Sequence, residues 1–187
     1  ERPVQAMRYI WLVLLVTNAA TAAEIRSIEV GHDDGAYSLV SVVWFDTALG
    51  PTFKTFSTWD YATRFSSAVV EARDLEPDEQ GRPGFFTRNK GCILFFCKSI
   101  VREGWVEKES SHLLRAFADP ERSDFVFSNE VWRFKEEDGG TLVVYELHFD
   151  PKFWVPPAIG PYMIKRKMKK EGGEAVDRIE EVARGLE

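Results

Sequence analysis

Apolar and polar residues alternate with a period of two along most of this chain, which is the signature of strands with one buried face. The first such run, AYSLVSVVWF at 36–45, follows the turn residues Asp33-Asp34-Gly35. A less apolar stretch comes next, from Asp46 to Ser66, with Pro51 placed to open a short helix and Asp60 placed to cap a second. Six further strand-like segments follow: 67–76, 84–90, 92–109, 112–119, 124–137 and 141–149. Turn chemistry such as Asp78-Glu79-Gln80-Gly81 and Asp138-Gly139-Gly140 separates several of them. After the proline-rich corner FWVPPAIGPY the period changes. Ile164, Met168, Gly172, Ala175, Ile179, Val182 and Leu186 recur at threes and fours, which predicts a helix from Pro161 to Leu186. Consecutive strands with short turns make an antiparallel meander, and the long helix is the element able to cover its inner face. The expected class is α+β, in one domain.

Alternation also assigns faces. With Gly139 and Gly140 as the turn, Arg133 pairs with Glu146, Trp132 with Leu147 and Phe134 with Tyr145. Trp132, Phe134, Tyr145, Leu147 and Phe149 then face inward, as does Glu130 opposite Phe149, while His148 faces out. On the long segment at 92–109, Lys98 and Arg102 are taken as markers of the outer face, which turns Phe95, Cys97, Ser99 and Val101 inward. Read as one strand, the same segment separates the Cα atoms of Cys92 and Cys97 by about 16 Å. A disulfide needs them within about 7 Å. Two free, buried thiols are expected, with no metal site.

Residues 7–23, MRYIWLVLLVTNAATAA, change the picture of the chain's start. Arg8 supplies a positive flank, Tyr9–Val16 an apolar stretch, and Ala20-Thr21-Ala22 a small-x-small cleavage signal. This predicts residues 1–22 as upstream residues plus a secretory signal peptide, and a domain of 23–187 exported to the periplasm or outside the cell. An uncleaved membrane anchor and a buried helix are the alternatives. The whole chain carries a formal charge of -6. Without Glu1, Arg2 and Arg8 the remainder has 22 basic against 29 acidic residues, or -7. That balance argues against nucleic acid as a partner.

Two stretches resemble a known family. TWDYATRFSSAVVEARDLE at 58–76 and PKFWVPPAIGPYMIKRKM at 151–168 are similar to segments of START-like (SRPBCC) domains, in particular the coenzyme Q-binding and polyketide cyclase-like group. The resemblance spans about 36–186 and implies the helix-grip fold: a curved antiparallel sheet wrapped around a C-terminal helix, with two short helices after the first strand. It also implies a cavity for a lipid, quinone, sterol or polyketide, without implying a reaction. Export departs from the family's usual intracellular setting.

Candidate chemistry is sparse. The chain has no nucleophile elbow, zinc-protease motif, P-loop or dinucleotide fingerprint, and its three histidines are scattered. No cofactor is expected. The aromatic set, 13% of the chain, is either core or cavity wall. As wall it makes Trp59, Tyr61, Phe65, Phe95, Trp105, Trp132, Phe134, Tyr145 and Phe149 ligand contacts, together with Cys97, Met168 and Gly172. Glu130 is the polar anchor in that reading; the alternative pairs it with Arg115. Phe153 and Trp154 form an apolar tip beside Lys165, Arg166 and Lys167, a candidate portal touching an anionic membrane, unless these cations are a solvated helix face. The expected partner is a hydrophobic small molecule, a lipid or isoprenoid quinone. Rival readings are a cyclase-like enzyme using Glu130 and Tyr145 as acid and base, and an interaction module with Leu94, Phe96 and Ile100 on an apolar outer face.

Overall fold

A computed structural model describes residues 22–93 and 96–187, with only the backbone at Ile93 and Phe96. The expected signal peptide, up to residue 21, and Phe95 lie outside the described residues. Eight strands form one antiparallel sheet in the order β1-β2-β8-β7-β6-β5-β4-β3. They are β1 Glu24–Asp33, β2 Ala36–Phe45, β3 Val69–Leu75, β4 Gly84–Ile93, β5 Phe96–Ser110, β6 Leu113–Ala118, β7 Phe125–Glu137 and β8 Gly140–Pro151. Between β2 and β3 come α1 Leu49–Phe56, a 3₁₀ turn at Trp59–Tyr61 and α2 Ala62–Phe65. The chain ends on α3, Gly160–Arg184, which lies against β1, β2, β4 and the two short helices. The sheet is curved around it, so the helix-grip architecture expected from the order of elements is the one found.

Three local features differ from the sequence reading. Strand β1 is additional: EIRSIEVGHD is a charged edge strand, and edge strands carry charge because their free backbone would otherwise template aggregation. The 92–109 segment is two strands. Cys92 stands opposite Cys97, with their Cα atoms 4.0 Å apart, and the pair forms a disulfide instead of two free, buried thiols. The residues between the two cysteines include no Gly, Pro, Asn or Asp, so the sequence there carried no turn signal.

The third difference is a register. The β7–β8 turn uses Asp138 and Gly139, at φ 52° and 80°, the left-handed pair a type I′ turn requires. Gly140 instead lies in β8, where an added Cβ would meet Phe45 O at 2.2 Å. Pairing moves by an even step, so Trp132 faces Tyr145 and Glu130 faces Leu147 while every side chain keeps its expected face. Arg133 still reaches Glu146, diagonally, at 2.6 Å.

The core fills the space between α3 and the concave sheet, and includes Val43, Phe45, Phe85, Leu114, Phe134, Val176 and Ile179. Its edge-on and stacked rings, such as Trp59 on Phe85 at 4.4 Å and Phe53 against Phe134 at 5.3 Å, fasten the short helices to the sheet.

Candidate functional site: an apolar cavity with a buried ion pair

The core does not close completely. A cavity of about 260 Å³ remains between α3 and the sheet. Gly172, Ala175, Val176 and Ile179 form its helix side, and Leu39, Val43 and Phe45 of β2 line the sheet beside it. Trp59 and Phe65 close it from the short helices. Gly172 leaves open space on this side: a Cβ there would meet nothing within 4 Å.

One wall is polar. Arg102 of β5 and Glu130 of β7 both line the cavity, 8% and 6% exposed. Arg102 Nη1 lies 2.8 Å from Glu130 Oε2, an ion pair in distance but without the alignment of a hydrogen bond. Tyr145 of β8, half-buried overall, donates its hydroxyl to Glu130 Oε1. Burial first, and the Glu130 carboxylate second, push the Tyr145 phenol well above its usual range. It therefore stays a protonated donor. Arg102 Nε and Nη2 and the indole nitrogen of Trp59 are buried without a hydrogen-bond partner among the described residues. With Glu130 Oε2, also buried without a hydrogen-bond partner, they leave three donors and one acceptor of this wall open.

Of the expected contacts, Trp59, Phe65, Glu130, Trp132, Tyr145 and Gly172 converge on the cavity. Phe134 is buried in the core against Phe53 and Phe56, and Phe149 packs on Tyr37 and Phe125. Tyr61 and Met168 are half-buried outside the lining. Two placements are corrected. Trp105 is on the outer face, stacked on Phe117 and covered by Arg82. Cys97 belongs to the disulfide at an exposed hairpin end. Both follow from one inverted assumption: Arg102 faces inward and is buried, and Trp105 lies on the opposite face of β5, while Lys98 is exposed near the strand's start. Charge marks the solvent face only when the charge has no buried counter-ion, and Arg102 has Glu130. Glu130 could have signalled this, since a carboxylate aimed into a core requires a cation. Arg115, the alternative partner, is paired with Glu109 instead.

At the corner expected to form a portal, Trp154 is 74% and Tyr162 67% exposed, with Ile159 also exposed. Phe153 packs against Phe125 beneath the Lys98 ammonium. Lys165, Arg166 and Lys169 border a shallow groove with His32 and Tyr162, and none of the three has a carboxylate at ion-pair distance among the described residues. Lys167 differs, being paired with Glu171 at 3.2 Å. Ile28 of β1 lines both groove and cavity. No described helix is long and apolar enough to cross a membrane, and no described group of three or more His, Cys, Asp or Glu side chains could hold a metal. Ile100 is half-buried; the Leu94 and Phe96 side chains are outside the described set.

Solved structures with this architecture are numerous. A STAR-related lipid transfer protein from Xanthomonas axonopodis superposes with a TM-score of 0.62 at 12% identity, covering 84% of this chain and 98% of that one. This is a START-like fold. A START superfamily protein from Mycobacterium smegmatis gives 0.60 at 16% identity, over 80% and 99% of the two chains. The Zhui aromatase/cyclase from Streptomyces sp. R1128 gives 0.59 at 10%, over 80% and 94%. No family model and no curated protein matches the sequence. START-like neighbours thus include lipid transfer proteins and cyclases, which supports a ligand-binding fold.

Proposed function

We propose that this protein is an exported, non-catalytic carrier that shields a hydrophobic small molecule from water in the START-like cavity. The observation carrying this reading is an apolar cavity whose polar wall holds buried hydrogen-bonding atoms without partners, three of them donors. Apolar walls supply the affinity, at roughly 25 cal/mol per Å² buried. The polar end of the ligand is a neutral acceptor such as a carbonyl or quinone oxygen, because Glu130 already balances the Arg102 charge. At about 30 Å³ per water, the space equals roughly nine waters. That suits a substituted ring, such as the head of an isoprenoid quinone, better than a whole two-chain lipid.

Export has independent support in the Cys92–Cys97 disulfide, since such bonds persist in oxidising compartments. Trp154, Tyr162 and the Lys165, Arg166 and Lys169 cluster form the proposed contact with an anionic membrane, where ligand would enter past Ile28. The cyclase-like alternative with Tyr145 as base is disfavoured, because a phenol held this far from ionising is poorly matched to proton abstraction near neutral pH.

Native mass spectrometry of protein purified from its source tests the carrier reading. The expected result is a bound apolar molecule released on unfolding. An empty protein that also fails to take up a short-tailed benzoquinone would sink it.

A further inference from the structure

Ala23 is half-buried against the core, and its backbone nitrogen donates to Glu180 of α3. Glu180 is 4% exposed, and its Oε1 accepts from Asp46 N and from Arg184 Nη2, each at 3.0 Å. The same guanidinium nitrogen lies 3.3 Å from Asp46 Oδ2. Among the described residues, Asp46 and Glu180 bring two negative charges to this cluster and Arg184 one positive charge. An uncharged amide at Ala23 leaves it one positive charge short. Ala23 directly follows Ala20-Thr21-Ala22, and Ala22 is exposed.

We infer that removal of the leader completes this cluster: the Ala23 α-ammonium of the mature chain is bound by the buried Glu180 carboxylate. Hydrolysis of the Ala22–Ala23 peptide bond puts the hydroxyl of water on the Ala22 carbonyl carbon and its proton on the Ala23 nitrogen. The resulting amine takes up one more proton from solvent near neutral pH. The strengthened contact ties the edge strand β1, which begins at Glu24, to the helix that the sheet grips. Position is decisive. Pairing of Glu24 with Trp44 holds the start of β1 in place, so a chain cut one residue away puts its amine about 3.8 Å along the backbone from Glu180.

This inference rests on the export reading, and the two are tested separately. The full chain is expressed in an exporting host and its mature N-terminus sequenced; Ala23 is expected, and any other first residue overturns the proposal. Residues 23–187 hold every described strand and helix, so the pairing is measured on chains starting at Ala23 with the amine free or enzymatically acetylated. Acetylation keeps an N–H donor and removes only the charge. It should lower the melting temperature by about 4 °C, the order expected when a charge-assisted bond becomes neutral. The difference should vanish in Glu180→Gln, and a chain starting at Ala22 should melt like the acetylated one. Equal melting of the free and acetylated forms overturns the pairing while leaving export intact.

Discussion

Arg102 and Glu130 form an ion pair across an intervening strand: β5 and β7 are separated by β6, yet Nη1 and Oε2 are 2.8 Å apart inside the apolar grip. Such a pair is costly to break from one side, because the remaining charge is buried without compensation. Glu130→Ala should therefore lose about 3–5 kcal/mol of stability. Replacing Arg102 and Glu130 together by methionine should lose much less. Urea titration of the three proteins checks this, and equal losses for single and double variants would refute it.

Gly172 lines the cavity from α3. Gly172→Ala has open space for its methyl group and should stabilise the helix by about 1 kcal/mol. Gly172→Phe should occupy the cavity instead, leaving a folded protein with at least ten-fold weaker uptake of a short-tailed benzoquinone, read by tryptophan quenching.

The disulfide spans five residues of sequence. Closing so short a loop is worth about 2 kcal/mol of unfolded-state entropy. Reduction, or Cys92→Ser with Cys97→Ser, should lower stability by that order in chemical denaturation while leaving the circular dichroism spectrum unchanged.

Glu171 accepts from the Ser66 hydroxyl at 2.5 Å and pairs with Lys167, and these contacts hold its carboxyl below the usual range. Its folded pKa is lowered, so its contribution is full above the unfolded value of about 4.3 and is lost as pH falls through the folded one. Glu171→Gln should flatten the stability profile below about pH 4.3 and leave the Gly172 side of the cavity unaltered. A profile identical to wild type would remove this role.

Charge reversal at Lys165, Arg166 and Lys169 should weaken binding to vesicles containing anionic lipid by at least five-fold per cation, from about 1 kcal/mol each. Trp154→Ala should weaken it further. Co-sedimentation with anionic and neutral vesicles reads both, and equal binding to the two lipids would exclude the electrostatic contact.

Much of the fold was legible because its signals are local. Period-two runs marked seven of the strands, the period change at 161 marked α3, and alternation placed Trp132, Tyr145 and Glu130 on the inner face even though the hairpin register was off by two. The misses have different causes. The charged edge strand β1 and the β4–β5 pairing, each made with the strand next in sequence, lacked a clear pattern or turn signal, whereas the inward Arg102 depends on Glu130 28 positions away.

By itself the sequence determined the order of elements from β2 onward, the antiparallel meander and which side chains of β7 and β8 look inward, since side-chain direction follows from backbone period alone. Only the tertiary structure decided that Cys92 meets Cys97, that Arg102 is buried, and that a cavity of about 260 Å³ persists. Whether two charges meet, or a volume stays empty, depends on how strands distant in sequence curve around one helix, and no periodicity in the chain encodes that distance.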